Sequence, residues 1–230
     1  MPATLRHRVA RAGVKALLGC GIAYPVTYVV ANDVVAASRY PGYNRVNQAV
    51  SELSAAGAPT RRFLVWMLPV FTAQTTAYGV GVWRAAEGRR ALRGAGALLV
   101  AFGVTGVAWA PFPMSSRQDL TGGEGSTSDV GHLVLSGLTL AEILGLLGTG
   151  AGAFGPRFRV YSWGSAAVVV LSLSLMSRGA ARVSTGRPTP GMGVYERVGI
   201  GTWLQWMAAL AIILLREKRP PDRGGQGHYS

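Results

Sequence analysis

The chain of 230 residues is 49% hydrophobic and only 14% charged, yet it carries a formal charge of +13. A charged share so far under the ~25% of soluble domains argues against a water-soluble globule. The excess charge does not mark a nucleic-acid surface either, because Arg and Lys flank apolar runs and no aromatic-interleaved basic patch accompanies them.

Six apolar segments follow in chain order: Gly13–Ala36, Phe63–Ala86, Ala91–Phe112, Val130–Phe154, Arg159–Met176 and Val198–Leu215. Each has roughly the 18–25 residues that a helix needs to cross a hydrocarbon layer of about 30 Å. They predict an all-α membrane protein, a six-transmembrane-helix bundle over residues 13–215. A basic N-terminus at 1–12 precedes it, and a disordered Gly- and Pro-containing tail at 216–230 follows. The basic start, the first apolar run and Val35-Ala36-Ala37 have the outline of a signal peptide. That run is longer than the usual ~7–15 residues and contains Pro25, so an uncleaved first helix is expected. Cys20 stands alone within it as a small packing residue.

Charge bias gives an orientation. With the N-terminus inside, the inner side holds Arg6, Arg8, Arg11, Lys15, Arg84, Arg89, Arg90, Arg93, Arg157, Arg159, Arg216, Lys218, Arg219 and Arg223. The outer side holds Arg39, Arg45, Arg61, Arg62, Arg117, Arg178, Arg182, Arg187 and Arg197. The short inner loops carry the excess, which predicts a multi-pass protein of the cell membrane with both termini cytoplasmic.

The outer loops are long. In the first, Tyr40-Pro41-Gly42-Tyr43-Asn44 forms a turn, and Asn44 caps a short interfacial helix ending near Gly57-Ala58-Pro59. Val46, Val50 and Leu53 would line its apolar face, opposite Asn47, Ser51 and Ser54, with the helix lying in the outer interface or dipping back into the protein. The second, Pro113–Asp129, is rich in Gly, Ser and Thr and carries Asp119 and Glu124; the third, Ser177–Tyr195, contains Pro188, Pro190, Gly191 and Gly193. Gly148 and Gly152 in segment four form a small-xxx-small pair. They serve helix packing within the bundle or, alternatively, a homo-oligomer contact through glycine-rich helix four.

Polar groups gather at the outer ends. Asp129, His132 and Ser136 fall within about 60° on one helical face. Ser51 and Glu52 sit in the first outer loop, and Glu196 and Arg197 open segment six. Together they could form one polar pocket. In it His132 would be the acid/base, Asp129 its orienting carboxylate, and Glu52 a third catalytic candidate; Ser51, Ser136, Glu196 and Arg197 would bind a substrate. The competing account is structural, with Asp129 and Glu196 favouring the positive ends of helices four and six. Glu142 lies about 15 Å deeper than His132 and off that stripe. Its carboxyl needs protonation, a polar neighbour such as Gln74 or Gln205, or a water-filled cavity, and it joins the substrate-binding candidates. Asp33 is placed at the interface. No cofactor or metal site is expected, since His7 and His228 lie in the tails and leave His132 as the only outer histidine.

Three blocks carry a resemblance. Residues 47–59, Asn-Gln-Ala-Val-Ser-Glu-Leu-Ser-Ala-Ala-Gly-Ala-Pro, resemble the signature of the domain of unknown function 998 family. So do Pro111-Phe112-Pro113 with Asp129-xx-His132, and Gly193-Val194-Tyr195-Glu196-Arg197. The likeness spans about Ala12 to Leu215 and implies a prokaryotic integral membrane protein of about six helices with no established activity. One departure is visible: members often carry an acidic residue soon after the Phe-Pro, whereas Met114-Ser115-Ser116 stand here and Asp119 comes later.

Two functions follow. One is binding or moving a lipid or small amphiphile, an isoprenoid among them, through the outward-facing pocket, with membrane lipids as partners and no nucleic acid. The other is a membrane-embedded enzyme acting on a lipid or isoprenoid by acid–base chemistry at His132. The orientation has a direct test. A cysteine replacing Ser126 should react with an impermeant thiol reagent in intact cells, and one replacing Gly88 should not; the reverse pattern would mean the opposite topology.

Overall fold

The computed structural model describes residues 3–123 and 125–217, without the side chains of residues 3–8. The expected tail from Lys218 onward and Glu124 lie outside these residues. Among them every regular element is helical. Helix α1 (Ala3–Val29) runs on through a π-helical stretch, Val30–Ala36, into the single turn α2 (Ala37–Arg39). A 3₁₀ turn, Val50–Ser54, precedes α3 (Arg61–Ala85); α4 (Arg90–Thr105) ends in the 3₁₀ turn Gly106–Trp109. Then come α5 (Arg117–Thr121), α6 (Thr127–Ala151), α7 (Pro156–Val183) and α8 (Met192–Arg216).

Five stretches are long and apolar enough to cross a membrane: Val9–Arg39, Arg90–Trp109, Thr127–Ala151, Pro156–Val183 and Met192–Arg216. The sixth expected segment, Phe63–Ala86, falls on α3, which is not among these five. Helix α3 has 25 residues, enough to span, but Pro69, Thr72, Gln74, Thr75 and Thr76 dilute its apolar character. Its polar stripe turns inward: Gln74 Nε2 donates to Thr27 Oγ1 of α1 at 3.1 Å, and Thr75 Oγ1 donates to Phe71 O. Leu133, Val160 and Trp66 project from the bundle at 68–73% exposure, as side chains facing lipid do.

The six long helices close a ring. Helix α1 packs on α3, α3 on α4, α4 on α6, α6 on α7, α7 on α8, and α8 returns to α1. The short connections 86–89 and 152–155 make α3/α4 and α6/α7 antiparallel neighbours, and Pro156 starts α7 at the position where a missing N–H costs nothing. Helix α8 leans furthest into the centre: 44% of its span is buried, against 22–28% for the other four. From it Trp206, Met207 and Leu210 enter the core beside Tyr78, Leu99, Leu146 and Leu147. Two buried polar tips there find partners, Tyr78 Oη donating to Met207 O at 3.0 Å and Trp206 Nε1 to Ser162 Oγ at 2.9 Å.

Small residues set the spacing. A Cβ on Gly96 would lie 2.8 Å from Trp83 N and 2.9 Å from Gly79 O, so α3 and α4 touch backbone to backbone. Toward the end of α6 and at its cap, glycines face neighbours in the same chain: Gly145 toward Leu98, Gly148 toward Trp163, Gly152 toward Ala91, with Gly150 beneath the Trp206 ring, while Gly137 meets nothing within 4 Å. The loop-one element also differs from expectation. It is shorter, a 3₁₀ turn over residues 50–54, and it dips into the protein rather than lying on the interface, with Val50, Glu52 and Leu53 buried while Val46 is exposed. The apolar face is interrupted because the backbone turns at 44–48, where Gln48 N donates to Asn44 O.

Gly96→Val should lower the melting temperature of the purified protein in detergent, at a cost of about 1–3 kcal/mol from overpacking. Gly13→Val, where a Cβ meets nothing within 4 Å, should leave it unchanged.

Candidate functional site

The long connections gather at one end of the bundle and form a crown over it. Its foundation is the π-helical stretch. There Ala37 N reaches back to Asn32 O, and the wider turn leaves Asp33 O to accept from Arg45 Nε at 3.1 Å and Nη2 at 2.7 Å. Asp33 Oδ1 accepts from Arg197 Nε at 2.7 Å. Helix α8 begins at Met192 rather than Val198, so Glu196 and Arg197 sit one turn inside it.

These two neighbours serve loop one in opposite ways. Arg197 Nη1 donates to the carbonyls of Arg45 (2.9 Å), Gly193 (3.1 Å) and Gln48 (3.3 Å), and Nη2 to Tyr43 Oη at 2.9 Å. Glu196, buried, accepts from Val50 N and from the backbone of Ser51, N–H groups that open the 3₁₀ turn and have no partner within it. Gly193 is required for the approach: any Cβ there would strike Gln48 O and Arg45 O. Burial pushes the Tyr43 hydroxyl up to about 12, against the opposing pull of Arg197. It therefore keeps its proton near neutral pH and donates to Ala49 O at 2.7 Å.

Glu52 is the second anchor. Only 4% exposed, it accepts from Ala49 N (2.9 Å) and Gln48 Nε2 (2.9 Å), and pairs with Arg117 of loop two through Nη2 (2.7 Å) and Nε (3.1 Å). The remaining arm of Arg117 reaches Thr189 Oγ1 of loop three at 3.0 Å. Thr189 Oγ1 donates to Asn47 O at 2.7 Å, and Asn47 Oδ1 accepts from Gly191 N at 3.0 Å. One guanidinium thus ties all three long loops together.

Asp129 and His132 belong to a separate cluster. Asp129 accepts from Ser115 N (2.6 Å), Ser115 Oγ (2.6 Å), Ser126 N (2.7 Å) and Ser126 Oγ (2.9 Å), capping α6 and pinning loop two. His132 Nδ1 lies 3.1 Å from Phe112 O, which can only accept, so that nitrogen carries the proton. Its ring stands edge-on to Trp109 at 4.8 Å. Ser136 Oγ bonds back to His132 O. Arg61 joins the clusters by donating to Ser54 O and Ala110 O, and Ala56 N donates to Met114 O. Glu142 stands apart in the bundle, held by Thr105.

The structure therefore brings Ser51, Glu52, Glu196 and Arg197 into one network and leaves Asp129, His132 and Ser136 in another. The sequence reading missed Arg117, Asn47, Tyr43 and Thr189, and placed Asp33 at the interface rather than against Arg197. The signal available for Arg117 was that a lone basic residue in a Gly- and Ser-rich loop faces a buried acid elsewhere. Beside the network a cleft of about 390 Å³ opens between Asn44, Asn47, Gln48, Arg117, Pro188, Thr189 and Pro190. Among the described residues no group of three or more His, Cys, Asp and Glu could hold a metal ion.

Residues 21–213 match the family described as "Protein of unknown function (DUF998)". No curated protein and no solved structure matches the chain.

Arg117→Ala leaves the Glu52 carboxylate buried without its cation and should destabilise the protein by about 3 kcal/mol. Adding Glu52→Gln to Arg117→Ala should cost much less than the two single changes summed, because the pair acts as a unit. Denaturation of the four proteins in one detergent measures this, and additive losses would mean that the pair does not couple.

Proposed function

The chain belongs to the DUF998 family, and we propose that it is a membrane-embedded binding protein whose outer cleft takes the polar head of a lipid or small amphiphile. The carrying observation is the cleft itself, set in a crown whose three loops are locked by Arg117 and Glu52. Amide groups of Asn44, Asn47 and Gln48 line it, with Pro188 and Pro190 as apolar walls. The charge of Arg117 is answered by Glu52, so the cleft favours an uncharged or zwitterionic head over a simple anion. The surrounding helices present apolar side chains to lipid, a setting for the attached tail.

The same reading takes the crown as the outer side of the cell membrane, both termini as cytoplasmic, and α3 as a sixth crossing sheltered by its neighbours. The charge bias of the loops supports that orientation. Binding is favoured over catalysis by the state of the acid–base candidates: four serine donors occupy Asp129, and His132 bonds a backbone carbonyl.

Pro190→Trp fills the cleft without removing a backbone donor, since proline has none. In nanodiscs of mixed phosphatidylethanolamine and phosphatidylglycerol, native mass spectrometry should show the wild type retaining the zwitterionic lipid preferentially. Pro190→Trp should retain several-fold less at an unchanged melting temperature. Equal retention by both proteins would overturn the proposal.

A further inference from the structure

The side chains of the outer cleft offer a ligand one kind of hydrogen bond. Each side-chain oxygen on the wall is already engaged. Asn44 Oδ1 accepts from Val46 N and Asn47 N, Asn47 Oδ1 from Gly191 N, Gln48 Oε1 from Asn44 N, and Thr189 Oγ1 from Arg117 Nη1. The nitrogens are not all spent. Neither Asn44 Nδ2 nor Asn47 Nδ2 donates to any of the described residues, and Asn44 is exposed and Asn47 half-buried. Gln48 Nε2 gives one N–H to Glu52 Oε2, and Arg117 Nη1 gives one to Thr189 Oγ1, so each keeps a second.

These donors are neighbours. Gln48 Nε2 and Arg117 Nε bond the same oxygen of Glu52, at 2.9 and 3.1 Å. Asn47 O accepts from Arg117 Nη2 at 3.3 Å, and Asn44 N sits 2.7 Å from Gln48 Oε1. All four residues line the same cavity.

Resting on the reading of this cleft as a lipid-head site, we infer that it grips the phosphodiester of a zwitterionic head and leaves the ammonium unread. A phosphodiester brings acceptor oxygens and no donor, so it answers the N–H groups left over without needing an oxygen in return. A sugar head brings hydroxyl donors as well, and the side-chain oxygens of the wall are taken. An ammonium meets the same difficulty, since Glu52 is 4% exposed and already holds Ala49 N, Gln48 and Arg117. The head still needs its own cation, because Glu52 cancels the charge of Arg117 and leaves none for a lone anion. The phosphodiester has two sources, a membrane lipid or the same head without its tails.

The test uses full-length protein in nanodiscs and native mass spectrometry, with lipids that share dioleoyl chains. Phosphatidylcholine and phosphatidylethanolamine should be retained equally. Both should be held about tenfold better than the monogalactosyl lipid, the worth of one hydrogen bond to a charged group. Asn47→Asp keeps the oxygen that accepts from Gly191 N and exchanges the free donor for an acceptor. Asn44→Asp does the same beside Val46 N and Asn47 N. Each should lower phosphatidylcholine retention about tenfold at an unchanged melting temperature. Displacement of the lipid by glycerophosphocholine assigns the tail-free head as ligand, and its persistence assigns the lipid; both keep the diester in the cleft. Retention that Pro190→Trp does not reduce sinks the reading of the cleft itself. Retention that Pro190→Trp does reduce leaves that reading standing, and three results then overturn the phosphodiester: the galactolipid held as tightly as phosphatidylcholine, ethanolamine preferred over choline, or both aspartate variants retaining lipid as the wild type does.

Discussion

A loop buried across the end of a helical bundle must find partners for its own backbone, because a buried polar group without one is costly. Here two consecutive residues of α8 supply them with opposite chemistry. Arg197 donates to carbonyls at Arg45 and Gln48, and Glu196 accepts from the N–H groups at Val50 and Ser51. Arg197 is charged, so its bonds are stronger than neutral ones. With the loop backbone fixed, Glu52 is held where Arg117 can reach it, and the second and third loops follow. The cleft lined by Asn44 and Pro190 opens where the tied loops lie side by side.

The blocks that carry the family resemblance meet in space. Gly193 N donates to Val46 O, Glu196 holds Val50, and Arg197 bonds Gln48 O. Phe112 O faces His132, and Pro113 O accepts from Ser128 Oγ. Their adjacency explains the residue types: a glycine for backbone approach, an acid for N–H groups, an arginine for carbonyls. The late Asp119 has an equally local task, accepting from Ser116 Oγ at 2.6 Å at the start of α5.

Much of the fold was legible because hydrophobic length and loop length are local properties. The apolar runs located the long helices, and the short connections at 86–89 and 152–155 made neighbours of the helices they join. Helix α3 is the harder case, since its polar stripe counts against a membrane span when summed along the chain but is hidden by α1 and α4 in the fold. The site was legible only in outline. Glu52, Glu196 and Arg197 stood out as charges beside apolar runs, whereas their partners depend on contacts across 65 to 164 positions of sequence. The grouping of Asp129 with His132 followed helical phase correctly, yet phase says nothing of the serine donors that loop two brings to the carboxylate.

The π-helical stretch carries one more consequence. It holds one residue more than an α-helix would fit in the same turns, so it acts as a phase shifter between the lipid-crossing part of α1 and its crown end. Wound as a regular α-helix, the same seven residues would rotate everything beyond them by about 100°. Asp33 would turn away from Arg45 and Arg197 together. The membrane-spanning face of α1 would remain in place, since Tyr24 and Tyr28 pack against Phe71 before the stretch begins. Crown and bundle are therefore separable in sequence at this point, and the winding of this one stretch sets how the crown is rotated on the helical body beneath it.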